Sequence, residues 1–138
     1  MSASLFQRWL EKAAEDLVVA RLVLHEEHTA HACFLSQQCI EKSLKAYLVA
    51  KTSDHPRVHK LVDLLDKCIA MESGFAQFFN DCTRVDQYYI PTRYPDGVPG
   101  SLPEGMPNTT QAIQAITSAE QILRFVTELL SPPQMPGP

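Results

Sequence analysis

No Cys-x-x-Cys pair occurs among the four cysteines of this chain, Cys33, Cys39, Cys68 and Cys82. Three of them fall inside apolar helical patterns, so they read as free buried thiols rather than as metal or redox ligands. His25, His28, His31 and His55 show no coherent spacing with acids or cysteines, and structural zinc needs about four converging ligands. Neither a metal nor another cofactor is expected. No apolar run approaches the ~18 residues of a membrane span. Arg8, Glu11 and Lys12 interrupt the start, so the basic, apolar, small-residue order of a signal peptide is missing. The expectation is a cytoplasmic protein with reduced thiols. Positive charge is also scarce, with a net charge of −4. That argues against a protein that coats nucleic acid by phosphate attraction and leaves room only for a small local basic patch. No internal repeat of 20–50 residues is visible.

What is present is the composition of one ordinary globular domain. Its 138 residues, 45% apolar and 20% charged, allow a core that needs no disulfide or metal. Phe6, Leu10, Ala13, Leu17, Ala20 and Leu24 are spaced 4, 3, 4, 3, 4, one stripe of an amphipathic helix over about 5–26, widened by Trp9. The polar stretch 25–29 reads as a turn. A second helix over about 30–50 carries Ala32, Leu35, Cys39, Ala46 and Val49, mostly small. Phe34, Ile40, Leu44, Tyr47 and Leu48 spread apolar surface over its other faces. Such a helix is central, or it also meets a second subunit. After a breaker loop at 52–57, Leu61, Leu64, Leu65, Cys68 and Ile69 predict a shorter third helix. Phe75, Phe78, Phe79, Cys82 and Val85 predict a fourth, ending near Tyr89. Asn108 and Gln111 have the spacing of a capping box. Behind them Ala112, Ile116, Ala119, Leu123, Val126 and Leu130 repeat the 4, 3, 4, 3, 4 spacing up to Ser131-Pro132-Pro133. The fold class read from this pattern is all-α, an up-and-down bundle of four to five antiparallel helices over 1–131. The tail 132–138 has nothing to bury and is expected to be frayed.

Between the fourth and last helices stand Pro91, Pro95, Pro99, Pro103 and Pro107, one in every fourth position. Proline fixes its own φ and extends the residue before it, so 91–107 reads as a semi-rigid strap ordered against the bundle. It is too long for an ordinary connection, and loops of that kind are functional or disordered. Its entrance, 86–97, packs Asp86, Tyr88, Tyr89, Arg93, Tyr94 and Asp96 close together, where a mere linker would read as Gly, Ser, Asn and Lys. The stretch marks a candidate site by composition alone, because loops held by a rigid scaffold often carry function.

Taken in order, Trp9 to Leu17, Gln37-Gln38-x-x-Glu41-Lys42-x-Leu44-Lys45-Ala46, His59 to Leu65, Arg93-Tyr94-Pro95-Asp96 and Ala119 to Val126 resemble the HEPN domain family, small helical domains named for higher eukaryotes and prokaryotes nucleotide-binding. The resemblance covers about 5–130. It implies a HEPN-like bundle, a homodimer, a nucleotide or RNA ligand, and pairing with a separately encoded minimal nucleotidyltransferase in a toxin–antitoxin setting. Many members are RNases whose motif is an Arg followed four to six residues later by a His. Here, counting from Arg93, that His would stand at Val98, Pro99 or Gly100. Counting from Arg84, it would stand at Tyr89, Ile90 or Pro91. Arg21 and His28 have the spacing but lie on the first helix, where the family does not place the motif. Metal-free RNA cleavage needs a proton shuttle near neutral pH, and imidazole is suited to it. The departure from the motif therefore predicts a binding and interaction module. The alternative is a toxin-type RNase in which Arg93 works with His59 or His28.

Among single residues, Arg93 offers a planar fork for phosphate or carboxylate, or it pairs with Asp86 or Asp96 and pins the strap. Tyr88, Tyr89 and Tyr94 stack on a base, or they cover the end of the core. Lys42 and Lys45 form an anion site near the strap, or they belong to a solvated face with the Glu41–Lys45 pair. His59 replaces the missing motif His as a catalytic candidate, or it caps the third helix.

Overall fold

The computed structural model describes residues 4–89 and 106–131. Among these the chain is helical without a strand: α1 (Leu5–His25), α2 (Thr29–Thr52), α3 (Leu61–Ile69), a 3-10 turn (Ser73–Phe78), α4 (Phe79–Asp86) and α5 (Thr109–Leu130). Residue 90, positions 91–105 of the expected strap 91–107, and the tail 132–138 lie outside the described residues.

The two 4-3 stripes face inward as the spacing demands. Ala13, Leu17 and Ala20 of α1 are buried, as are Ala112, Ala115, Ile116, Ala119, Ile122 and Val126 of α5. Both pack on α2, whose Ala32, Cys39 and Ala46 present little bulk. Small side chains at a crossing let two helix axes approach closely. On its remaining side α2 meets α3 and α4. It is thus surrounded by the chain's own helices, which accounts for apolar residues on more than one of its faces. Asn108 and Gln111 form the expected capping box: the Asn108 side chain accepts from the Gln111 N–H at 2.8 Å, and Gln111 Oε1 accepts from the Asn108 N–H at 2.9 Å.

Helix direction follows from two contacts. Thr29 Oγ1, at the start of α2, donates to the carbonyl of Pro107, just before α5, at 2.7 Å. Ten residues further along α2 and twelve beyond Pro107, Cys39 approaches the Ala119 carbonyl. So α2 and α5 run side by side in the same direction, with α1 antiparallel to both. Parallel neighbours cannot be joined by a tight turn. The chain from Thr52 to Thr109 is the crossover, and α3, the 3-10 turn and α4 lie on it.

One element differs from the helical reading. The Phe75–Val85 stripe begins not as an α-helix but as a 3-10 turn, with the Glu72 carboxylate accepting from the Gly74 N–H at 3.3 Å. Three residues per turn put Phe75 and Phe78 on one face, and both are buried. From Phe78 the α spacing continues to Cys82 and Val85, also buried. Phe79, one step round the axis, is turned out and 48% exposed. A Cβ at Gly74 would come within 3.0 Å of Phe125 Cζ and 3.3 Å of Glu72 Oε1, so these side chains would have to give way by a few tenths of an ångström.

Candidate functional site

On α2, Gln37, Glu41 and Lys45 recur every fourth residue, so they form one polar row along a helix that is otherwise apolar. All three are buried, Gln37 at 0%, Glu41 at 5% and Lys45 at 4% exposure. Such groups stay buried only when their polar atoms are paired. Here they pair with one another and with one residue beyond the helix. Lys45 Nζ donates to Glu41 Oε2 at 3.1 Å and lies 5.9 Å from the centre of the Trp9 ring. Gln37 Nε2 donates to Glu41 Oε1 at 3.4 Å and to the backbone carbonyl of His59 at 3.2 Å. Its own carbonyl accepts from Gln38 Nε2 at 2.7 Å. The Glu41 carboxylate, in turn, takes His59 Nδ1 at 3.2 and 3.3 Å.

The row therefore holds His59 at two points, main chain and ring. An ionised carboxylate only accepts, so the contact assigns the imidazole proton to Nδ1 and leaves the Nε2 lone pair outward. Among the described residues Nε2 has no hydrogen-bond partner, and the His59 side chain is 60% exposed. Its ring stacks on Tyr89, with centroids 6.0 Å apart and planes at 12°. His59, Lys60, Asp86 and Tyr89 line a cleft of about 280 Å³. Tyr89 is one of the three positions, 89, 90 or 91, where a His counted from Arg84 would stand. The His59 ring, from thirty residues earlier, lies against it.

Asp86 has a defined task. Its carboxylate accepts the Leu61 N–H at 2.7 Å and the Val62 N–H at 3.1 Å. It thus caps α3 from the end of α4 and holds His59 and Lys60, just before that helix, against the cleft. Burial pushes the Asp86 carboxyl above its ordinary value of 3.8, against the pull of these two hydrogen bonds. A carboxyl raised on folding contributes stability that is full below the unfolded value and is lost as pH rises through the folded one. Two outcomes follow. Asp86→Ala, which strands both N–H groups, lowers unfolding free energy by about 1–3 kcal/mol. Asp86→Asn keeps one acceptor and no charge, and its stability relative to the parent improves from about pH 4 upward in urea titrations. A parent that gains on the Asn variant over that range contradicts the sign.

The other sequence candidates are dispersed. Tyr88 is 2% exposed and belongs to the core. Lys42 and Lys45, three residues apart, part company: Lys45 turns to Glu41, while Lys42 Nζ pairs with Asp16 of α1 at 2.5 Å. The solvated Glu41–Lys45 face of the helical reading is a buried pair instead, because α1, through Trp9, closes over it. Arg84 binds Asp81 at 3.2 Å and Ser118 at 2.8 Å, pinning α4 to α5. Arg21 pairs with Glu120 at 2.6 Å, and His28 lies against His31 rather than Arg21. Arg93, Tyr94 and Asp96 lie outside the described residues. All four cysteines are free and buried, and burial raises the thiols of Cys33, Cys39 and Cys68 to about 12. Among the described residues no group of three or more His, Cys, Asp or Glu is placed to hold a metal ion, and no helix is long and apolar enough to cross a membrane. Glu41 and Gln37, which hold His59, are the residues of this cluster that the sequence reading did not place at a site. Their signal was the i, i+4, i+8 polar row in a helix apolar elsewhere.

Comparison with known proteins agrees with this architecture. The family model described as HEPN domain matches residues 6–129. A candidate toxin of Methanocaldococcus jannaschii, MJ1304, is 24% identical over 131 residues, covering 88% of this chain and 86% of its own. Among solved structures, TT1696 from Thermus thermophilus superposes with a TM-score of 0.75 at 32% identity, over 91% of this chain and 98% of that one. The archaeal HEPN homologue ST0689 gives 0.72 at 29% identity, over 94% of this chain and 100% of its own.

Proposed function

The chain belongs to the HEPN domain family, and from that premise we propose that it is a toxin-type module binding RNA or a nucleotide in the His59 cleft. The observation that supports this most is the His59 imidazole, oriented by Glu41 and stacked on Tyr89 at the mouth of a cleft that also holds Lys60. A ring stack beside a cation suits a base and its phosphate. Arg93, outside the described residues, is proposed as a second cation from its place in the sequence. It follows Tyr89 by four residues, and a chain of that length spans at most about 14 Å.

One observation favours a nuclease as the second reading. The His59 ring lies beside Tyr89, its centroid 6.0 Å away, and 89 is one of the three positions where a motif histidine counted from Arg84 would fall. With Nδ1–H held by Glu41, Nε2 is the atom that takes a proton from a ribose 2′-hydroxyl as the oxygen attacks the adjoining phosphate, while the P–O5′ bond breaks and the leaving 5′-oxygen takes a proton from water, giving a 2′,3′-cyclic phosphate end and a 5′-hydroxyl end. The homodimer and the nucleotidyltransferase partner are part of the proposal. The apolar surplus of α2 is consumed inside the chain, so support for a second copy comes from Val18, Leu22 and Ile113, each more than half exposed on α1 and α5.

Fluorescence anisotropy with a labelled single-stranded RNA tests the binding. His59→Ala and Tyr89→Ala are each expected to weaken it about tenfold, with melting temperature nearly unchanged, as one lost base stack is worth about 1–3 kcal/mol. Equal affinity in both variants removes the cleft from the proposal. Cleavage of the same RNA in the presence of EDTA, lost in His59→Ala and Arg93→Ala, promotes the nuclease reading over simple binding.

A further inference from the structure

Trp9, which widens the inward stripe of α1, stands where two routes to His59 begin. The first runs through the buried polar row. Lys45 Nζ lies 5.9 Å from the centre of the Trp9 ring and donates to Glu41, and Glu41 takes His59 Nδ1. The second runs through residues 53–60, which join α2 to α3 without a helix of their own. In that segment the His55 ring meets the indole edge-to-face, with centroids 4.8 Å apart and planes at 74°. Four residues on, His59 is held by its carbonyl on Gln37 and by its ring on Glu41. The segment is thus gripped at two places, and one indole serves both routes.

The His59 side chain is mostly exposed, and a free imidazole in water favours the proton on Nε2. What reverses that preference is the hydrogen bond that the other nitrogen makes. Glu41 supplies the bond, and it does so firmly only while its own charge is fixed by Lys45 and kept from water. Attraction between charges weakens several-fold once water enters between or beside them. The Trp9 ring is the α1 side chain in contact with the Lys45 ammonium. A residue present for bulk alone could as well be Leu. Both contacts of this ring, the cation above it and the imidazole beside it, need an aromatic side chain.

We infer that Trp9 is a positioning residue for His59: by covering Lys45 and gripping His55, it keeps the imidazole proton on Nδ1 and the Nε2 lone pair outward. The first turns of α1 thereby belong to the His59 site although they do not line its cleft. This inference rests on the geometry of the site proposed above and not on what the cleft binds.

Long-range nitrogen–proton NMR spectra of the whole chain, recorded above about pH 8 where imidazoles are neutral, read the tautomer of each histidine without any RNA present. His59 of the parent is expected as Nδ1–H. In Trp9→Leu its ratio of Nδ1–H to Nε2–H falls roughly threefold or more, the size of a lost cation–π contact. Trp9→Phe, which keeps a ring, stays near the parent. His55→Ala removes the second route alone and moves the ratio in the same direction by less. In a Glu41→Gln background Trp9→Leu adds little, because the first route is already cut. Phe75→Ala weakens the core without touching either route and leaves His59 as it is. An unchanged ratio in Trp9→Leu, a Phe variant that behaves like the Leu one, or an equal change in Phe75→Ala overturns the inference. So does an unmoved ratio in His55→Ala, the variant that carries the test if Trp9→Leu does not fold. RNA binding plays no part in this readout, so failure of the cleft as a binding site and failure of Trp9 as its positioner are told apart.

Discussion

Replacing Lys45 by Met is expected to lower unfolding free energy by about 3–5 kcal/mol, because it leaves the Glu41 carboxylate buried without its cation. At 5% and 4% exposure neither partner of this pair can turn to water, so the loss is not softened by solvent screening. For a domain of this size the melting temperature should fall by roughly 10 °C or more. The double variant Glu41→Gln/Lys45→Met should recover most of the loss, since a neutral pair of similar volume carries no stranded charge. The recovered protein is the informative one. Its stability returns while His59 has lost the carboxylate that fixes its tautomer, so a defect in RNA binding or cleavage there belongs to the ring's orientation. A Lys45→Met protein within about 1 kcal/mol of the parent would falsify the account of the network, whatever its activity.

Phe75→Ala should destabilise by about 3–5 kcal/mol, the range for removing a fully buried aromatic side chain. Phe75 is edge-to-face with Tyr47 of α2 at 4.8 Å and with Phe125 of α5 at 5.0 Å, so it ties the crossover to both long helices. Phe79→Ala, four residues on, should cost less than about 1 kcal/mol because that ring is nearly half exposed. Chemical denaturation of the two variants side by side decides the matter. Similar losses would mean that the turn at 73–78 does not set the phase of α4.

These two positions show how far the residue pattern carries. Phe75 and Phe79 are the same letter in the same apolar stripe, and helical spacing alone places both inward. The difference arises because Glu72 and Gly74 begin the element as a 3-10 turn, and one residue of phase is then worth a whole side chain's burial. The Glu41–Lys45 pair shows the same limit. At i, i+4 it has the form of a surface pair, and only the Trp9 ring of α1 above it makes it a buried one. His59 was legible as a candidate, but its partner lies eighteen positions earlier and its stacking neighbour thirty later, distances over which no local spacing rule operates.

Local periodicity by itself determined the helical class, the positions of α1, α2 and α5, the capping box at Asn108 and the inward faces of the long helices, because each depends on residues within one or two turns of each other. The ordered Gln-Gln, Glu-Lys and Arg-Tyr-Pro-Asp stretches determined the family. Tertiary structure alone decided that α2 and α5 run parallel, that α2 is wrapped by its own chain, and that His59, backed by Glu41, meets Asp86 and Tyr89 at one cleft. Those outcomes depend on which helix faces pack together, and packing brings side chains into contact across sequence separations that a periodic pattern does not encode.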